Sequence, residues 1–526
     1  MIQPNRVIVI GLDGATWNII EPMVQEDKLP TIGKLMREGC YGNLESCIPP
    51  KTFPAWKCYS TGKNPGKLGV YGFANLIAGE QYRAAFNNST SFKSEEVWDI
   101  LGRNGITCGV LDMPTTYPPK ELSGFMVSNA PPRPSGFVYP QDLEGEIKRR
   151  FDYKTEPDHY FESDKEAATG DCIAIIDQRF EVASYLLKQF DPIFFHMTIF
   201  EIDTLQHYTR GKPLEDAWIS IDSGIKAILD EHCDEDTYVI LMSDHGHTDR
   251  VCNFQIARWL ESKGLSVTRK RSRTLRTILA MLGLRRDRLI GLATKVGMFR
   301  LLRDYVPKTI RVRFLAPLST KGADGLKNSL RGLIDHERSK VIPFGGGGLL
   351  YINQRYFQSR NEYESFRQNL IDELEHISDP KTGTKLARHV YKAEELYSGP
   401  YLSLAPDIVV NPSEGYMLGN VGTVEDIWVY PEKDWTRCHR LQGIFTILGP
   451  DIKQGLRVQG ARIYDLAPTI LHLFGIPIPQ DMDGSVLRET FSEGSELATR
   501  EIAYLGADER SRVTARIKRM KAADRI

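Results

Sequence analysis

The sequence lacks the cysteine patterns that mark two large classes of protein. Its eight cysteines form no CxxC pair and recur at no regular interval, which argues against a thiolate zinc site and against a disulfide framework. We therefore expect a reducing compartment, with the cytoplasm as the location. The apolar stretch at residues 7–12 is too short for a secretory signal, because it runs directly into Asp13.

Long apolar runs and an excess of one charge are also missing. No stretch approaches the ~20 apolar residues of a membrane-spanning helix. The formal net charge is -1, so the chain as a whole has no attraction to nucleic acid, and no specific nucleic-acid binding is expected. The composition, with 41% hydrophobic and 26% charged residues, is typical of a globular protein.

What the sequence does contain is a series of short apolar segments that alternate with helical patterns. Strands are predicted at Arg6–Leu12, Thr107–Met113, Pro192–Phe200, Tyr238–Ser243 and Gly443–Gly449. Such alternation predicts an α/β fold with a mostly parallel central sheet and helices on both faces.

The length of 526 residues is more than one compact core needs, so several regions are expected. We predict a catalytic core formed by residues 1–260 and 431–500 and a basic helical insertion at 261–344. A smaller α/β subdomain is predicted at 345–430, after a run of four glycines, and a basic tail at 501–526.

Polar groups lie directly at the ends of the predicted core strands. They are carboxylates and imidazoles, namely Asp13, Asp203, His207, Asp244, His245 and His439. Because ligands bind at the carboxyl ends of the strands in an open parallel sheet, these groups are expected to face one site. Asp203 and His207 lie four residues apart, so one helical turn places both on the same face. Such a pair can hold a metal or can simply form a cap.

Thr52 is the remaining polar residue of this kind. Pro54 fits the first turn of a helix, so Thr52 lies at or near a helix N-terminus, where free N–H groups favour an anion. From its position alone, Thr52 can be an N-cap or a nucleophile. Seven oxygen and nitrogen groups without a thiolate suit Zn²⁺ or Mn²⁺ better than Ca²⁺. They are enough for two metals roughly 4 Å apart, an arrangement that serves phosphoryl transfer.

These residues occur in segments that resemble the alkaline phosphatase superfamily. The resemblance is to its type I phosphodiesterase/nucleotide pyrophosphatase branch and to prokaryotic phosphohydrolase and phosphomutase relatives. It rests on VIVIGLDGATWNII (7–20), PPKTFPAWKCYSTGKNPGKLGVYGF (49–73), EIDTLQHY (201–208), LMSDHGH (241–247), residues 379–410, HRLQGIFTILGPDIKQG (439–455) and YDLAPTILHLFGIPIPQDMDG (464–484). It implies an alkaline-phosphatase-like fold.

The resemblance also implies a role for each strand-end residue. One metal would be held by Asp203, His207 and His439, and the other by Asp13, Thr52, Asp244 and His245. Zn²⁺ is the expected metal and Mn²⁺ the alternative. Thr52 would be the nucleophile, and a covalent phospho- or phosphoester-threonine would form and then be hydrolysed by metal-bound water.

For the substrate, the resemblance implies that the amide of Asn75 holds a phosphate oxygen, and Lys51 is a second candidate for that task. His247 departs from the family, in which the position after Asp-His-Gly is usually apolar. It is expected to be an ordinary loop histidine, or at most a support for the ligands. His196 and His472 are expected to be core residues.

The implied activity is hydrolysis of a phosphodiester or of a nucleotide pyrophosphate. The alternative is a phosphomonoesterase or phosphomutase, whose dianionic substrate usually needs fixed cations beyond the metals. Only Lys51 and Arg440 are near the core motifs, which favours the diester. A sulfatase is set aside, because it would need Cys or Ser at position 52.

The alternative from another class is a non-catalytic protein that binds a surface through its basic insertion. Residues 263–313 contain 15 Lys or Arg and two acids, interleaved with apolar residues at near-helical spacing. This pattern is typical of a solvated helical cap, or of attraction to an anionic substrate, partner or membrane surface. The complete set of ligand residues argues against a protein that has lost its catalysis.

Overall fold

A computed structural model of the chain describes residues 4–77, 83–92, 94–129, 135–161, 163–268, 334–419, 426–431 and 436–506. Most of the predicted basic insertion and the last 20 residues of the predicted tail lie outside these ranges. Within them, no helix combines the length and the apolar character that crossing a membrane requires.

The strands are numbered in chain order. They are β1 (Arg6–Leu12), β2 (Cys40–Glu45), β3 (Ala74–Ile77), β4 (Arg83–Phe86), β5 (Cys108–Leu111), β6 (Gly124–Val127), β7 (Val138–Tyr139), β8 (Phe194–Ile199), β9 (Thr237–Met242), β10 (Gly246–Asp249), β11 (Cys252–Gln255), β12 (Val341–Phe344), β13 (Leu349–Ile352), β14 (Ala387–Lys392), β15 (Ile408–Pro412), β16 (Tyr416–Gly419), β17 (Trp428–Val429), β18 (Arg437–Arg440), β19 (Gln442–Leu448), β20 (Arg457–Val458), β21 (Ile478–Pro479) and β22 (Tyr504–Leu505).

The helices are numbered in the same way. They are α1 (Trp17–Gln25), α2 (Pro30–Glu38), α3 (Thr52–Thr61), α4 (Pro65–Leu68), α5 (Val97–Arg103), α6 (Asp142–Phe151), α7 (Lys165–Phe190), α8 (Glu201–Tyr208), α9 (Lys212–His232), α10 (Ile256–Ser262), α11 (Arg360–His376), α12 (Ala393–Leu396), α13 (Leu466–Leu473) and α14 (Glu496–Thr499).

Nine strands form the central sheet, in the order β20-β2-β19-β9-β1-β8-β5-β6-β7. The five strands from β9 to β6 run parallel to one another. Strand β19 runs antiparallel to both β9 and β2, so β2 points in the same direction as the parallel strands. The start of β19 therefore lies at the edge of the sheet where β9, β1 and β8 end.

Strand β1 shows why the sheet forms from this sequence. Its apolar and β-branched residues favour an extended backbone, and every residue from Val7 to Leu12 is buried. Alternate side chains enter opposite cores: Val7 and Val9 pack in one cluster, and Ile8 and Ile10 in the other. A strand buried on both faces in this way belongs in the middle of a parallel sheet.

Helices cover both faces of the sheet. Helices α2, α7 and α9 supply buried side chains to the cluster on one face. Helices α3, α5 and α13 supply those on the other face. The predicted α/β architecture, mostly parallel and covered on both sides, is confirmed. The predicted core strands each occur within about two residues of their expected ends.

A smaller α/β region follows the first part of the core. Its four-stranded sheet has the order β12-β13-β15-β14 and is packed against α11. The sheet begins at Val341, four residues before the predicted boundary, and β11 and α10 share its hydrophobic core. Thr268 and Ile334 pair as an isolated antiparallel bridge. The chain therefore leaves this region and returns to it at adjacent points.

Candidate metal centre

One edge of the central sheet collects the polar residues that follow its strands. Strand β1 ends at Leu12 and is followed by Asp13, and β9 ends at Met242 and is followed by Ser243 and Asp244. Strand β8 leads into α8, whose third residue is Asp203. Because these strands are parallel neighbours, their following residues meet at one place.

A two-stranded sheet brings in the last histidine. Strand β10 follows Asp244 and His245 directly, and it pairs antiparallel with β18 so that His247 lies opposite His439. The ring of His439 stacks on that of His245, with the ring centroids 3.7 Å apart. The predicted ligands Asp13, Asp203, His207, Asp244, His245 and His439 are thus all brought to the same edge.

Three imidazoles surround one carboxylate oxygen. Asp203 Oδ1 lies 3.6 Å from His207 Nε2, 3.3 Å from His247 Nε2 and 3.4 Å from His439 Nε2. The same nitrogens are close to one another, with 3.1 Å between His207 and His439 and 3.4 Å between His207 and His247. These four residues form a group that could hold a metal ion.

The other ring nitrogen of each imidazole fixes its tautomer. Nδ1 of His207 lies 2.9 Å from the Arg437 carbonyl, and Nδ1 of His247 lies 2.9 Å from the Gly14 carbonyl. Nδ1 of His439 lies 3.0 Å from the Pro50 carbonyl. A carbonyl oxygen can only accept, so each Nδ1 donates, and in the neutral ring Nε2 then carries a lone pair. Metal-binding histidines are held by such bonds in the same way.

A second group lies beside the first and is richer in carboxylates. Asp13, Asp203 and His245 form a further set that could hold an ion. His245 Nε2 lies 3.6 Å from Asp13 Oδ1 and 3.2 Å from Asp244 Oδ2. None of these three atoms has a hydrogen-bond partner among the described residues, although all three are buried. Asp244 uses its other oxygen to accept from the Gly14 N–H at 3.1 Å.

Burial and like charge shift the pKa values of these carboxyls. Burial, followed by the nearby Asp244 and Asp203, raises the pKa of Asp13 well above its usual value. Burial is also the main cause that raises the pKa of Asp244 to about 7. Burial lowers the pKa of His245 well below that of an ordinary imidazole. Carboxylates and neutral imidazoles held together in this way favour a cation among them.

Thr52 is the first residue of α3 and is 2% exposed. Its position is set from both sides along the chain. Two residues before it, the Pro50 carbonyl accepts from His439, and four residues after it, Trp56 Nε1 donates to Asp13 Oδ2 at 2.9 Å. The Trp56 ring packs against Gly11, where any β-carbon would collide with it. Thr52 therefore lies in the chain between a residue that contacts the first ligand group and one that contacts the second. It begins α3, where backbone N–H groups have no partner within the helix.

The two predicted substrate-binding residues make contacts elsewhere. Lys51 Nζ donates to the carbonyls of Gly345, at 2.6 Å, and Gly346, and burial lowers its pKa to about 7. Asn75 donates to the Gly69 carbonyl and accepts from the Tyr71 N–H at 3.3 Å. Both side chains thus hold loops together, and their contact with a substrate stays a prediction.

His247 is the residue whose position the sequence did not indicate. It is 1% exposed and lies in the ligand group rather than in an ordinary loop. The signal in the sequence was its spacing. His247 follows the predicted ligand His245 by two residues, and in an extended backbone two such side chains point to the same side. By contrast, His196 bonds to Tyr59 and Thr198, and His472 bonds to the Leu497 carbonyl. Those two histidines have protein partners at a distance from the metal centre.

The donor set fits divalent cations. Buried acceptors without partners, Asp13 Oδ1, Asp203 Oδ1, Asp244 Oδ2 and His245 Nε2, converge on a small volume. A buried acceptor without a donor is costly, and a cation removes that cost at several such atoms at once. Imidazole and carboxylate ligands without thiolate suit Zn²⁺ and Mn²⁺.

Comparison with known protein families gives one match over most of the chain. The model of the family described as type I phosphodiesterase / nucleotide pyrophosphatase matches residues 7–436. This range contains β1, α3, α8 and β9, the elements that carry or precede Asp13, Thr52, Asp203 and Asp244. No match was found among curated protein sequences.

Solved structures with the same fold include three hydrolase-type proteins. Phosphonoacetate hydrolase from Sinorhizobium meliloti 1021, in complex with phosphonoformate, has a TM-score of 0.56 and 14% identity over 88% of this chain and 95% of its own. A mutant of alkaline phosphatase PafA has a TM-score of 0.56 and 13% identity over 94% and 100%. Murine ectonucleotide pyrophosphatase / phosphodiesterase 5 has a TM-score of 0.50 and 14% identity over 93% and 100%. The predicted alkaline-phosphatase-like fold is confirmed.

Proposed function

Because the chain belongs to the type I phosphodiesterase / nucleotide pyrophosphatase family and is a phosphoester hydrolase of that superfamily, we propose that it cleaves phosphodiester or nucleotide pyrophosphate bonds. The observation that carries the proposal is the convergence of six carboxylate and imidazole side chains at one edge of the sheet, where four of their atoms are buried acceptors without partners among the described residues. The start of α3 is linked to this cluster, because the Pro50 carbonyl accepts from His439. The substrate would be a small phosphate ester or a nucleotide.

Two divalent cations would be held by this chain. Asp203, His207 and His439 would bind one cation. Asp13, Thr52, Asp244 and His245 would bind the other. When bound, the cations supply positive charge that lowers the pKa of a coordinated hydroxyl and offsets the charge on phosphoryl oxygens.

Thr52 would act as the nucleophile. Its hydroxyl releases its proton to solvent and the oxygen attacks phosphorus. The bond to the leaving alcohol or phosphate breaks, and the phosphoryl group is transferred to Thr52 with any remaining ester still attached. Water then hydrolyses the phosphothreonine and regenerates the hydroxyl. The free N–H groups at the start of α3 favour the negative charge of the phosphoryl group. The contacts of Pro50 and Trp56 support this role, because they restrict the backbone on both sides of Thr52.

The two basic side chains near the centre, Lys51 and Arg440, favour a diester substrate over a monoester. Lys51 is bound to the carbonyls of Gly345 and Gly346, and Arg440 Nε lies 3.2 Å from a carboxylate oxygen of Glu414. Both charges are therefore engaged by the protein. A monoester dianion needs more fixed positive charge than a diester monoanion, so this arrangement supports the diester.

The test is a substrate panel with the zinc-loaded and the manganese-loaded protein. We expect bis-p-nitrophenyl phosphate to be cleaved with a higher kcat/KM than p-nitrophenyl phosphate, and nucleotide diesters to be cleaved as well. Faster cleavage of the monoester would overturn the diester assignment and favour the phosphomonoesterase or phosphomutase.

The nucleophile is tested with two variants of one residue. Thr52→Ala should lower kcat on the best substrate by on the order of 10³-fold, or ~4 kcal/mol of barrier. Thr52→Ser should retain part of the activity, since it keeps the hydroxyl. Phosphate transferred to Thr52 should be detected by mass spectrometry after rapid acid quenching. Near wild-type turnover by Thr52→Ala would exclude the covalent mechanism.

A further inference from the structure

We propose that His247 is a fourth protein ligand of the cation held by Asp203, His207 and His439, so that this position is closed by protein groups. This inference rests on the proposed function, since it concerns one of the two proposed cations. It adds a ligand that the family resemblance does not imply, and it assigns the two positions different tasks.

The first observation is the position of the His247 ring. Its Nε2 lies 3.3 Å from Asp203 Oδ1 and 3.4 Å from His207 Nε2, in the interior of the centre. The rings of His247 and His439 have their centroids 5.2 Å apart and are nearly perpendicular, at 76°. Three imidazole nitrogens and one carboxylate oxygen therefore approach a common point from different directions. This is what four ligands around a tetrahedral cation require.

The second observation is that the chain leaves room for His247 and orients it. Gly14 has a φ of +69°, and a β-carbon there would lie 2.4 Å from His247 Cε1. Only glycine allows this approach. The Gly14 carbonyl then accepts from His247 Nδ1 at 2.9 Å, which directs Nε2 toward Asp203. Gly14, which follows Asp13 of the second ligand group, thus positions His247 in the first.

The third observation is the orientation of the three rings, each of which turns its Nδ1 to a backbone carbonyl and its Nε2 to the centre. Nδ1 of each of His207, His247 and His439 donates to a backbone carbonyl, so in the neutral rings all three Nε2 atoms are acceptors. Acceptors at 3.1 Å and 3.4 Å from one another repel unless a cation lies among them.

The chain offers a direct contrast in His196. That ring is also fully buried, but its two nitrogens lie 3.0 Å from the Tyr59 hydroxyl and 2.9 Å from the Thr198 hydroxyl. Each hydroxyl can donate or accept, so His196 is satisfied in either tautomer. His196 shows how this protein buries a histidine that binds no ligand, and it supplies a matched control.

A closed position has consequences for which ion binds and where the substrate goes. Three imidazoles and one carboxylate favour Zn²⁺ over Mn²⁺ or Mg²⁺, which prefer more oxygen ligands. Zinc positions with four protein ligands are typical of structural sites, whereas catalytic ones keep a position open. We therefore infer that substrate oxygen is received on the side of Asp13, Asp244 and His245.

The test compares the full-length protein with three variants by metal titration and by Co²⁺ spectroscopy. His247→Leu removes the ring, and His247→Gln keeps an amide that can donate to the Gly14 carbonyl. His196→Gln is the control. Wild-type protein and the control should bind two Co²⁺, and one of them should give the intense visible bands of a four-coordinate site. Both His247 variants should bind that ion at least about 100-fold more weakly and lose those bands.

The outcomes separate this inference from the proposed function. If the wild-type protein binds two ions, and His247→Gln keeps both the affinity and the bands, His247 only supports the backbone of Gly14, and the inference is overturned. If the wild-type protein binds no divalent cation, the proposed function fails and the inference fails with it. If both variants lose one ion but keep the second, the inference is supported.

Discussion

Two buried charged clusters in this protein are satisfied in opposite ways. One surrounds Glu96, and helix α3 links it to the other, the metal centre, because Lys57 belongs to the first and Thr52 to the second. Glu96 accepts from Lys57 and Ser60 on one carboxylate oxygen and from Lys120 on the other, at 2.6 Å for Lys120. The carboxylate is thus fully paired within the chain.

The metal centre differs because Asp13 and Asp244 have no lysine or arginine partner in the part of the chain that the structure describes. Burial alone would raise the pKa of Glu96, but Lys120 and Lys57 hold it at about 2. Asp244 is buried to the same degree, yet its pKa is raised to about 7, by burial first and then by Asp203. The contrast teaches that the chain supplies counter-charge where it is needed for folding alone. In the metal centre, an external cation would supply the positive charge instead.

The largest expected effect concerns the paired cluster. Glu96→Gln should lower the free energy of unfolding by about 3–5 kcal/mol, because it leaves the buried Lys57 without a counter-charge. The measurement is urea unfolding at pH 7. The adjacent Glu95 is the control: it pairs with Arg103 at the surface, so Glu95→Gln should cost less than about 1 kcal/mol. An equal loss of unfolding free energy in Glu96→Gln and Glu95→Gln would show that the buried pair stabilises the fold no more than the surface pair does.

The same kind of change in the metal centre should act in the opposite direction. Asp244→Asn should lower kcat/KM by on the order of 10²-fold or more, as should His439→Ala, since each would help to hold one of the two cations. In chelator-treated protein, however, Asp244→Asn should raise the thermal midpoint, because it removes one of several unpaired buried carboxylates. A fall in the midpoint of the metal-free protein would show that Asp244 is a structural residue.

The two clusters should also differ in their dependence on pH. The pKa of Asp244 is raised from 3.8 to about 7 on folding. Between these values the folded protein binds a proton that the unfolded chain has released, so stability falls as pH rises. In metal-free protein, the free energy of unfolding of the wild type relative to that of Asp244→Asn should therefore fall as pH rises from 5 to 8, and urea unfolding of both proteins at the two pH values measures this difference. Glu96, whose pKa is lowered to about 2, should lose its contribution only below about pH 4.5.

The smallest effect is expected from removal of the predicted basic insertion. Because Thr268 and Ile334 pair directly, residues 269–333 can be replaced by a short Gly/Ser linker. The shortened protein should keep its kcat/KM on bis-p-nitrophenyl phosphate within about 3-fold, since every proposed ligand lies outside the segment. Binding to vesicles rich in anionic lipid, measured by sedimentation at low and high salt, should fall. Loss of diester cleavage with unchanged circular dichroism would place the insertion in the active site.

The position of the centre could be predicted from local sequence, because each ligand group follows an apolar strand. In a parallel sheet, strand ends such as those before Asp13 and Asp244 must meet. The helix N-terminus at Thr52 also followed from local signals, namely the prolines around it. The family resemblance supplied the grouping of the ligands.

Contacts between distant segments could not be predicted in this way. The pairing of β10 with β18, which faces His247 with His439, depends on the register of strands about 190 residues apart. The carbonyls that bind Lys51 belong to Gly345 and Gly346, 294 and 295 residues away. Nothing near Lys51 in the sequence indicates that its charge is engaged there. For this reason the roles of Lys51 and His247 needed the folded chain.

The central claim is that the cluster of carboxylates and imidazoles at the sheet edge binds two cations beside Thr52. Anomalous diffraction at the zinc edge, from crystals of active protein grown with Zn²⁺, tests it most directly. We predict two peaks, one among Asp203, His207 and His439 and the other among Asp13, Asp244 and His245, with Thr52 adjacent. Active protein whose crystals show no peak at this edge of the sheet would contradict the claim.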